Sequence, residues 1–322
     1  MISFQQVSKK FKDGTLAVNN IDFTIEKGEL FVLIGPSGCG KTTTLKMINR
    51  LEEPTGGNIS REGKYLKDWN VQELRWKTGY VLQQIALFPT MNIEENIAVV
   101  PELQKWSRDK IKQRVNELLH MVGLEPEVYK TRVPSELSGG QQQRIGVIRA
   151  LAADPDVVIM DEPFSALDPL SREQLQKDIR RLQTDIKKTI VFVTHDIDEA
   201  LALGDRICIM KEGEVVQIGT PQEITTSPEN DFVKDFIGDR RSAWDVPVKD
   251  ILSDDRAEER DIAEGVTVHS NLPLRDAVPY FDQTEKQALK IVDDEKVIGV
   301  LSYKDIVLFM QKDQAAKEKE RI

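Results

Sequence analysis

Residues Gly35-Pro36-Ser37-Gly38-Cys39-Gly40-Lys41-Thr42 fit the pattern G-x4-G-K-[ST], and no other feature constrains the fold of this chain as strongly. The pattern needs a tight turn between a buried strand and a helix. Its flanks agree: Leu30 to Ile34 is a short apolar run ending at glycine, and Lys41-Thr42-Thr43-Thr44-Leu45-Lys46-Met47-Ile48 opens a helix. Glycines let the backbone wrap closely, so that successive N–H groups and the helix N-terminus converge on phosphate oxygens. Lys41 is then placed to reach β- and γ-phosphates and Thr42 to ligate Mg2+.

A second acidic element fits the first. Val157-Val158-Ile159-Met160 is an apolar strand that delivers Asp161 and Glu162 to its end. Two acids after a strand are as often a solvated turn. Beside a phosphate-binding turn they read as a Mg2+ carboxylate, Asp161, and a group that polarises water for in-line attack, Glu162.

The remaining pattern divides the chain. Ile2 to Val7 and Ala17 to Ile25 alternate as antiparallel strands, while 94–152 is helical, with Ile111, Val115, Leu118, Leu119 and Val122 on one face. Apolar strands and helices then alternate over 157–160, 170–183, 189–194, 197–203 and 206–210, which implies βαβ units and a mainly parallel sheet. The alternation stops around Gly238-Asp239-Arg240-Arg241, and a polar stretch through Glu264 reads as a connector. A strand at Val266 to Val268, a helix at Leu274 to Phe281, strands at Ala288 to Val292 and Val297 to Leu301, and a helix from Asp305 form a second, smaller pattern. The expected division is 1–238, an acidic linker 239–262 that begins the second unit, 263–312, and a charged tail 313–322 read as a frayed or disordered helix.

A net charge of −10 argues against a nucleic-acid groove, which needs a basic stripe. Residues 241–322 hold 13 Lys/Arg against 18 Asp/Glu, so the last quarter of the chain is the more acidic part and reads as a separate unit. The apolar runs fall well short of the roughly 20 residues that span a bilayer, and no signal peptide is visible at the start. Cys39 and Cys208, far apart, suit a reducing cytoplasm and form neither a disulfide framework nor a metal site.

Leu137-Ser138-Gly139-Gly140-Gln141 matches the signature of ABC ATPases, which other enzymes with the phosphate-binding turn lack. The chain resembles that family over 1–238. The resemblance implies an α/β P-loop NTPase cassette: a RecA-like core with an antiparallel β subdomain and a helical subdomain. It implies ATP and Mg2+, with ATP held by Gly35 to Thr43. Ser138, Gly139, Gly140 and Gln141 would grip the γ-phosphate of ATP on the other protomer of a homodimer. Gln83 matches the glutamine that senses Mg2+ and the attacking water, and His195 the switch histidine, so the implied catalytic set is Glu162, His195 and Gln83. The implied metal set is Thr42, Gln83 and Asp161. Ser165 and Asp168 match the loop that crosses the dimer interface. Phe11 stands where the family stacks an aromatic on adenine, a contact worth ~1–3 kcal/mol; its other reading is a core residue.

With no span in the chain, the resemblance implies a separate transmembrane permease, placing this subunit peripherally on the cytoplasmic face of the membrane. Gln83 to Met91 resembles importer subunits, where this stretch receives permease coupling helices. Val248-Lys249-Asp250-Ile251, the helix near 274–281, Lys290 to Asp294, and Gly299-Val300-Leu301-Ser302-Tyr303-Lys304-Asp305 resemble a small α+β CBS domain. In a CBS motif, Ser302 and Asp305 would hold a nucleotide. A cassette followed by CBS resembles the ATPase of bacterial quaternary-amine importers (glycine betaine, carnitine or choline), which work with a substrate-binding protein. The alternatives are an importer of another small solute and a soluble, non-transport ABC ATPase. Such subunits commonly carry two CBS motifs, whereas 242–312 holds one, which would have to pair with its twin across the dimer. Three readings of it stay open: a tether, a site for a regulatory adenine nucleotide such as cyclic di-AMP, and an ionic-strength sensor.

Overall fold

The structure is a computed structural model that describes residues 1–165, 167, 169–238, 246–252, 266–281, 288–293 and 296–310. Asp168, the charged tail 313–322 and most of the expected linker lie outside the described residues. The chain forms two compact units, Met1–Ile237 and Gly238–Ile322.

In the first unit, β1 (Ile2–Lys10) and β2 (Leu16–Ile25) pair antiparallel, and β3 (Leu30–Ile34) leads through the glycine turn into α1 (Lys41–Ile48). After these come β4 (Gly56–Arg61), β5 (Lys64–Tyr65), α2 (Val71–Trp76) and β6 (Thr78–Val81). A helical stretch comprises α3 (Ile93–Leu103), α4 (Arg108–Met121), α5 (Pro126–Tyr129) and α6 (Gly139–Leu151). Then β7 (Val157–Asp161), α7 (Pro169–Ile186), β8 (Thr189–Val193), α8 (Ile197–Leu203), β9 (Arg206–Lys211), β10 (Glu214–Gly219), α9 (Pro221–Thr226) and α10 (Asp231–Ile237) complete the unit.

Two sheets result, one in the order β2-β1-β4-β5 and one in the order β10-β9-β3-β8-β7-β6. In the larger sheet β9, β3, β8, β7 and β6 run parallel, and β10 closes one edge antiparallel. Successive strand residues point to opposite faces, so a strand covered on both faces must be apolar throughout. Strand β3 shows this directly. Leu30, Val32 and Ile34 join the core formed with the helical stretch, while Phe31 and Leu33 join the core formed with α1 and the antiparallel sheet. Strands β7, β8 and β9 divide in the same way: Met160, Phe192 and Ile209 face one core, and Ile159, Val191 and Cys208 the other. With both faces sealed, the ends of β3, β7 and β8 are where this sheet presents functional groups. That is the open edge expected of a parallel α/β sheet.

The second unit carries β11 (Thr267–His269), α11 (Leu274–Phe281), β12 (Ala288–Asp293), β13 (Lys296–Ser302) and a helix α12 over 303–310. Strands β11 and β12 are parallel across α11, and β12 and β13 are antiparallel. Val248 and Ile251, in a short helical turn, are buried with Leu274, Leu289, Ile291 and Leu301. These two residues therefore belong to a core, whereas the polar composition around them reads as a connector. Helix α12 also starts two residues before the expected Asp305. Ser302 is its cap: Oγ donates to Asp305 Oδ2 at 2.6 Å, and the Asp305 amide donates back to Oγ at 3.2 Å. This reciprocal pairing satisfies the first-turn donors and moves the helix start upstream.

Candidate functional site

Gly40 sits at φ +102°, and an added Cβ would lie 2.3 Å from the Ala17 carbonyl oxygen, so the turn requires glycine here. The sharp turn folds Lys41 back on the loop, where its buried ammonium donates to the carbonyls of Gly35 at 2.7 Å and Pro36 at 2.9 Å. The adjacent cleft has a volume of about 410 Å³, and its lining includes Ser37, Gly38, Lys41, Thr42, Thr43, Gln83, Glu162 and His195. Cys39 is buried with its sulfur 3.8 Å from Lys41 Nζ, and burial pushes its thiol pKa up. It stays protonated behind the loop.

The acidic side of the cleft is built by the ends of β7 and β8. Thr42 Oγ1 donates to Asp161 Oδ1 at 2.9 Å. Burial raises the Asp161 carboxyl above the usual range; the Thr42 bond and the nearby Lys46 charge oppose that shift, and the Glu162 charge adds to it. Glu162 adopts φ +44°, a left-handed conformation that costs a non-glycine residue roughly 1–2 kcal/mol. Its amide donates to the Val193 carbonyl at 3.0 Å, which holds the turn in place. One oxygen of Glu162, Oε2, accepts from Gln83 Nε2 at 3.2 Å and lies 3.1 Å from His195 Nδ1. A strained carboxylate held between an amide and an imidazole, in a cleft that the glycine turn also lines, has the geometry of a water-activating base. A hydroxyl, a carboxylate and an amide oxygen from Thr42, Asp161 and Gln83 are hard donors, and they fit Mg2+ sharing its shell with phosphates and water.

The signature segment is placed apart from this cleft. Ser138 caps α6: its Oγ accepts from the Gln141 amide at 3.3 Å, and Gln141 Oε1 accepts from the Ser138 amide at 3.0 Å. Gln141 is anchored further by Tyr129 Oη at 3.1 Å. Ser138 and Gly139 are exposed, and none of Ser138, Gly139, Gly140 and Gln141 lines the cleft of its own chain. Ser165 is exposed, its amide donating to the Glu162 carbonyl at 3.3 Å. Phe11 is half-buried at the β1–β2 turn, where its amide donates to the Thr15 carbonyl and Lys9 Nζ lies 5.2 Å from its ring centroid. It belongs to neither core of its unit, and it does not line the cleft.

Two supporting residues have no motif that announces them. Fully buried Asn96 binds the carbonyls of Phe88 at 3.1 Å and Met91 at 3.0 Å and accepts from the Phe88 amide at 2.8 Å, shaping the loop after Gln83. The sequence signal for it is weak: one polar residue on the apolar face of α3. Ala17 lines the cleft through an antiparallel strand that pattern reading assigns only to the sheet.

The family model described as ABC transporter matches residues 18–165. The glycine betaine/carnitine/choline transport ATP-binding protein of Bacillus subtilis is 50% identical over 316 residues, covering 98% of this chain and 81% of that protein. The glycine betaine uptake system ATP-binding protein of Escherichia coli is 46% identical over 312 residues, covering 96% and 99%. A solved dimeric ATP-binding cassette, described as a post-hydrolysis state bound to ADP and Pi, aligns with a TM-score of 0.61 at 36% identity. It covers 69% of this chain and 99% of that one. The chain belongs to the family of ABC transporter ATP-binding proteins.

Proposed function

We propose that this chain is the ATP-hydrolysing subunit of an importer for quaternary-amine osmoprotectants. The observation that carries the enzymatic part is the cluster at the ends of β3, β7 and β8, where Lys41, Thr42, Asp161, Glu162, Gln83 and His195 share one cleft. Gly35 to Thr43 cradle the triphosphate, and Lys41 offers its charge to the β- and γ-oxygens. Thr42, Asp161 and Gln83 would hold Mg2+, which when bound would neutralise phosphate charge. Glu162 takes a proton from the attacking water, with Gln83 and His195 orienting its carboxylate. Ser138 and Gly139 are exposed, and none of Ser138, Gly139, Gly140 and Gln141 lines the cleft of its own chain, which suits a γ-phosphate held by a second copy. Two copies thus make two shared sites, with Ser165 and Asp168 at the interface and Phe11 against adenine.

The relatives' names support the cargo class, and it is tested by reconstitution. The chain is combined with its permease and binding protein in proteoliposomes, and ATP hydrolysis is measured with choline, carnitine, glycine betaine or a polyol added. Stimulation by the quaternary amines alone is expected; stimulation by the polyol alone assigns another solute. In this arrangement the subunit sits on the cytoplasmic face, bound to the permease.

For the second unit, the β-α-β-β-α order of β11 to α12 supports a CBS-type reading. Ser302 and Asp305 are bonded to each other, and Val297, Ile298, Tyr303, Val307 and Leu308 are exposed. Both features favour a tether that pairs with its twin. A regulatory adenine nucleotide such as cyclic di-AMP is the alternative, and calorimetry on the full chain separates the two.

A further inference from the structure

Glu199 is a buried carboxylate that the chemistry above does not use. It lies in the first turn of α8, four residues beyond His195. Its Oε2 accepts from Thr194 Oγ1 at 2.5 Å, and the same hydroxyl accepts from the Asp196 amide at 3.0 Å. The Thr194 amide donates in turn to the Leu33 carbonyl, at the end of the strand that enters the phosphate-binding turn. The residue between Thr194 and Asp196 is His195. The hydroxyl of Thr194 therefore closes the turn that aims the imidazole at Glu162, and Glu199 holds that hydroxyl in place.

The cation facing this cluster is Arg172 of α7. Its Nε lies 3.8 Å from Glu199 Oε1, its Nη1 3.7 Å from Asp196 Oδ2, and its Nη2 donates to the Leu167 carbonyl at 3.5 Å. All three distances exceed the usual 2.7–3.2 Å of an N–H···O bond, and Nε has no hydrogen-bond partner among the described residues. The guanidinium thus holds Leu167 through one long hydrogen bond and the two carboxylates through looser ionic contacts. Burial raises the Glu199 carboxyl, the Asp196 charge adds to that, and the Thr194 bond and Arg172 oppose it. The Arg172 side chain is 35% exposed, so water shares its charge and long contacts to the two carboxylates cost little, which lets the guanidinium follow Leu167. Leu167 follows Ser165 by two residues, in the segment that the proposed dimer would bring against its partner.

We propose that Thr194, Glu199 and Arg172 form a positioning relay that fixes the His195 turn and ties it to Leu167. Glu199 and Thr194 hold the imidazole in register with Glu162, and Arg172 makes that register depend on where Leu167 sits. This rests on the assignment of Glu162 and His195 given above.

The test is steady-state ATP hydrolysis by the full chain, with kcat and KM measured for T194V, T194S, E199Q, R172M and the R172M/E199Q double variant, and with E162Q as control. A small displacement of a catalytic group lowers turnover by roughly tenfold to a hundredfold. T194V and E199Q should therefore lose about that much in kcat, with KM within about twofold because the phosphate-binding turn is untouched. T194S, which keeps the hydroxyl, should retain near-normal kcat. R172M and E199Q should be non-additive in the double variant. The relay is refuted if T194V and E199Q keep kcat within about twofold of the parent, if T194S loses as much as T194V, or if the Arg172 and Glu199 effects multiply. Hydrolysis surviving in E162Q refutes the site assignment itself, whereas a dead E162Q beside active relay variants refutes the relay alone.

Discussion

Substituting Gly40 by alanine should separate the phosphate-binding turn from the fold that supports it. At φ +102° the new Cβ would stand 2.3 Å from the Ala17 carbonyl oxygen and 3.4 Å from Val18 Cγ2. An unstrained carbon–oxygen contact needs about 3.3 Å, so the loop and β2 must part by about 1 Å. Strand β2 is pinned to β1, and the Asn19 amide donates to the Gly213 carbonyl, so the loop is the part that gives way. The left-handed backbone adds roughly 1–2 kcal/mol, and with overpacking the total is about 2–5 kcal/mol. If the loop relaxes while the chain stays folded, about 2 kcal/mol of this appears as an approximately 30-fold loss of nucleotide affinity. Gly63 is the control: its φ is +78°, but an added Cβ meets nothing within 4 Å, so G63A should cost only roughly 1–2 kcal/mol of stability and leave binding unchanged. Urea denaturation and titration with a fluorescent ATP analogue measure both quantities. G40A with parental affinity and stability would refute the reasoning.

Three further outcomes are expected. Asp161→Asn should raise stability near neutral pH without nucleotide: burial lifts the folded-state pKa above the usual value of 3.8, so the ionised carboxylate destabilises the fold as pH rises through that window. A wild-type advantage that grows with pH in denaturant titrations would contradict this sign. Arg61→Met removes a fully buried guanidinium that donates to Thr78 at 2.9 Å, the Lys77 carbonyl at 3.0 Å and Asp156 at 3.3 Å. The Asp156 side chain is 46% exposed and is not stranded by the loss, so the expected cost is about 1–3 kcal/mol, seen as a lower urea midpoint at constant slope. Ser302→Ala should cost about 1 kcal/mol by uncapping α12, lowering a melting transition assigned to the second unit; an unchanged melt removes the capping role.

The phosphate-binding turn was legible because it joins two signals of different physical origin: an apolar strand that must be buried, and glycines at positions that side chains cannot occupy. Asp161 and Glu162 followed from the strand before them, and β3, β7 and β8 from their unbroken apolar runs. What stayed hidden depends on long-range contact. The left-handed backbone at Glu162, the bonds of Asn96 to Phe88 and Met91, and the Glu199–Thr194–Arg172 cluster are set by packing between elements far apart in the chain. The start of α12 was missed by two residues because the cap pairs a hydroxyl and a carboxylate locally, at a place where the apolar pattern is already continuous. The CBS resemblance assigns Val248 and Ile251 to the second unit although the charged composition around them reads as a connector, and both are buried in that unit's core.

Hydrolysis by this chain turns on Glu162, whose carboxylate is held between Gln83 and His195 beside the phosphate-binding turn. The direct measurement compares ATP binding, hydrolysis and assembly of the parent chain with Glu162→Gln. The amide keeps the size of the side chain but cannot take a proton, so ATP binding should persist while turnover falls by about 10²–10⁴-fold. ATP should then hold two copies together as a dimer visible by size-exclusion chromatography. Near-normal hydrolysis in Glu162→Gln, with no ATP-dependent dimer, would contradict both the assignment of the base and the shared site.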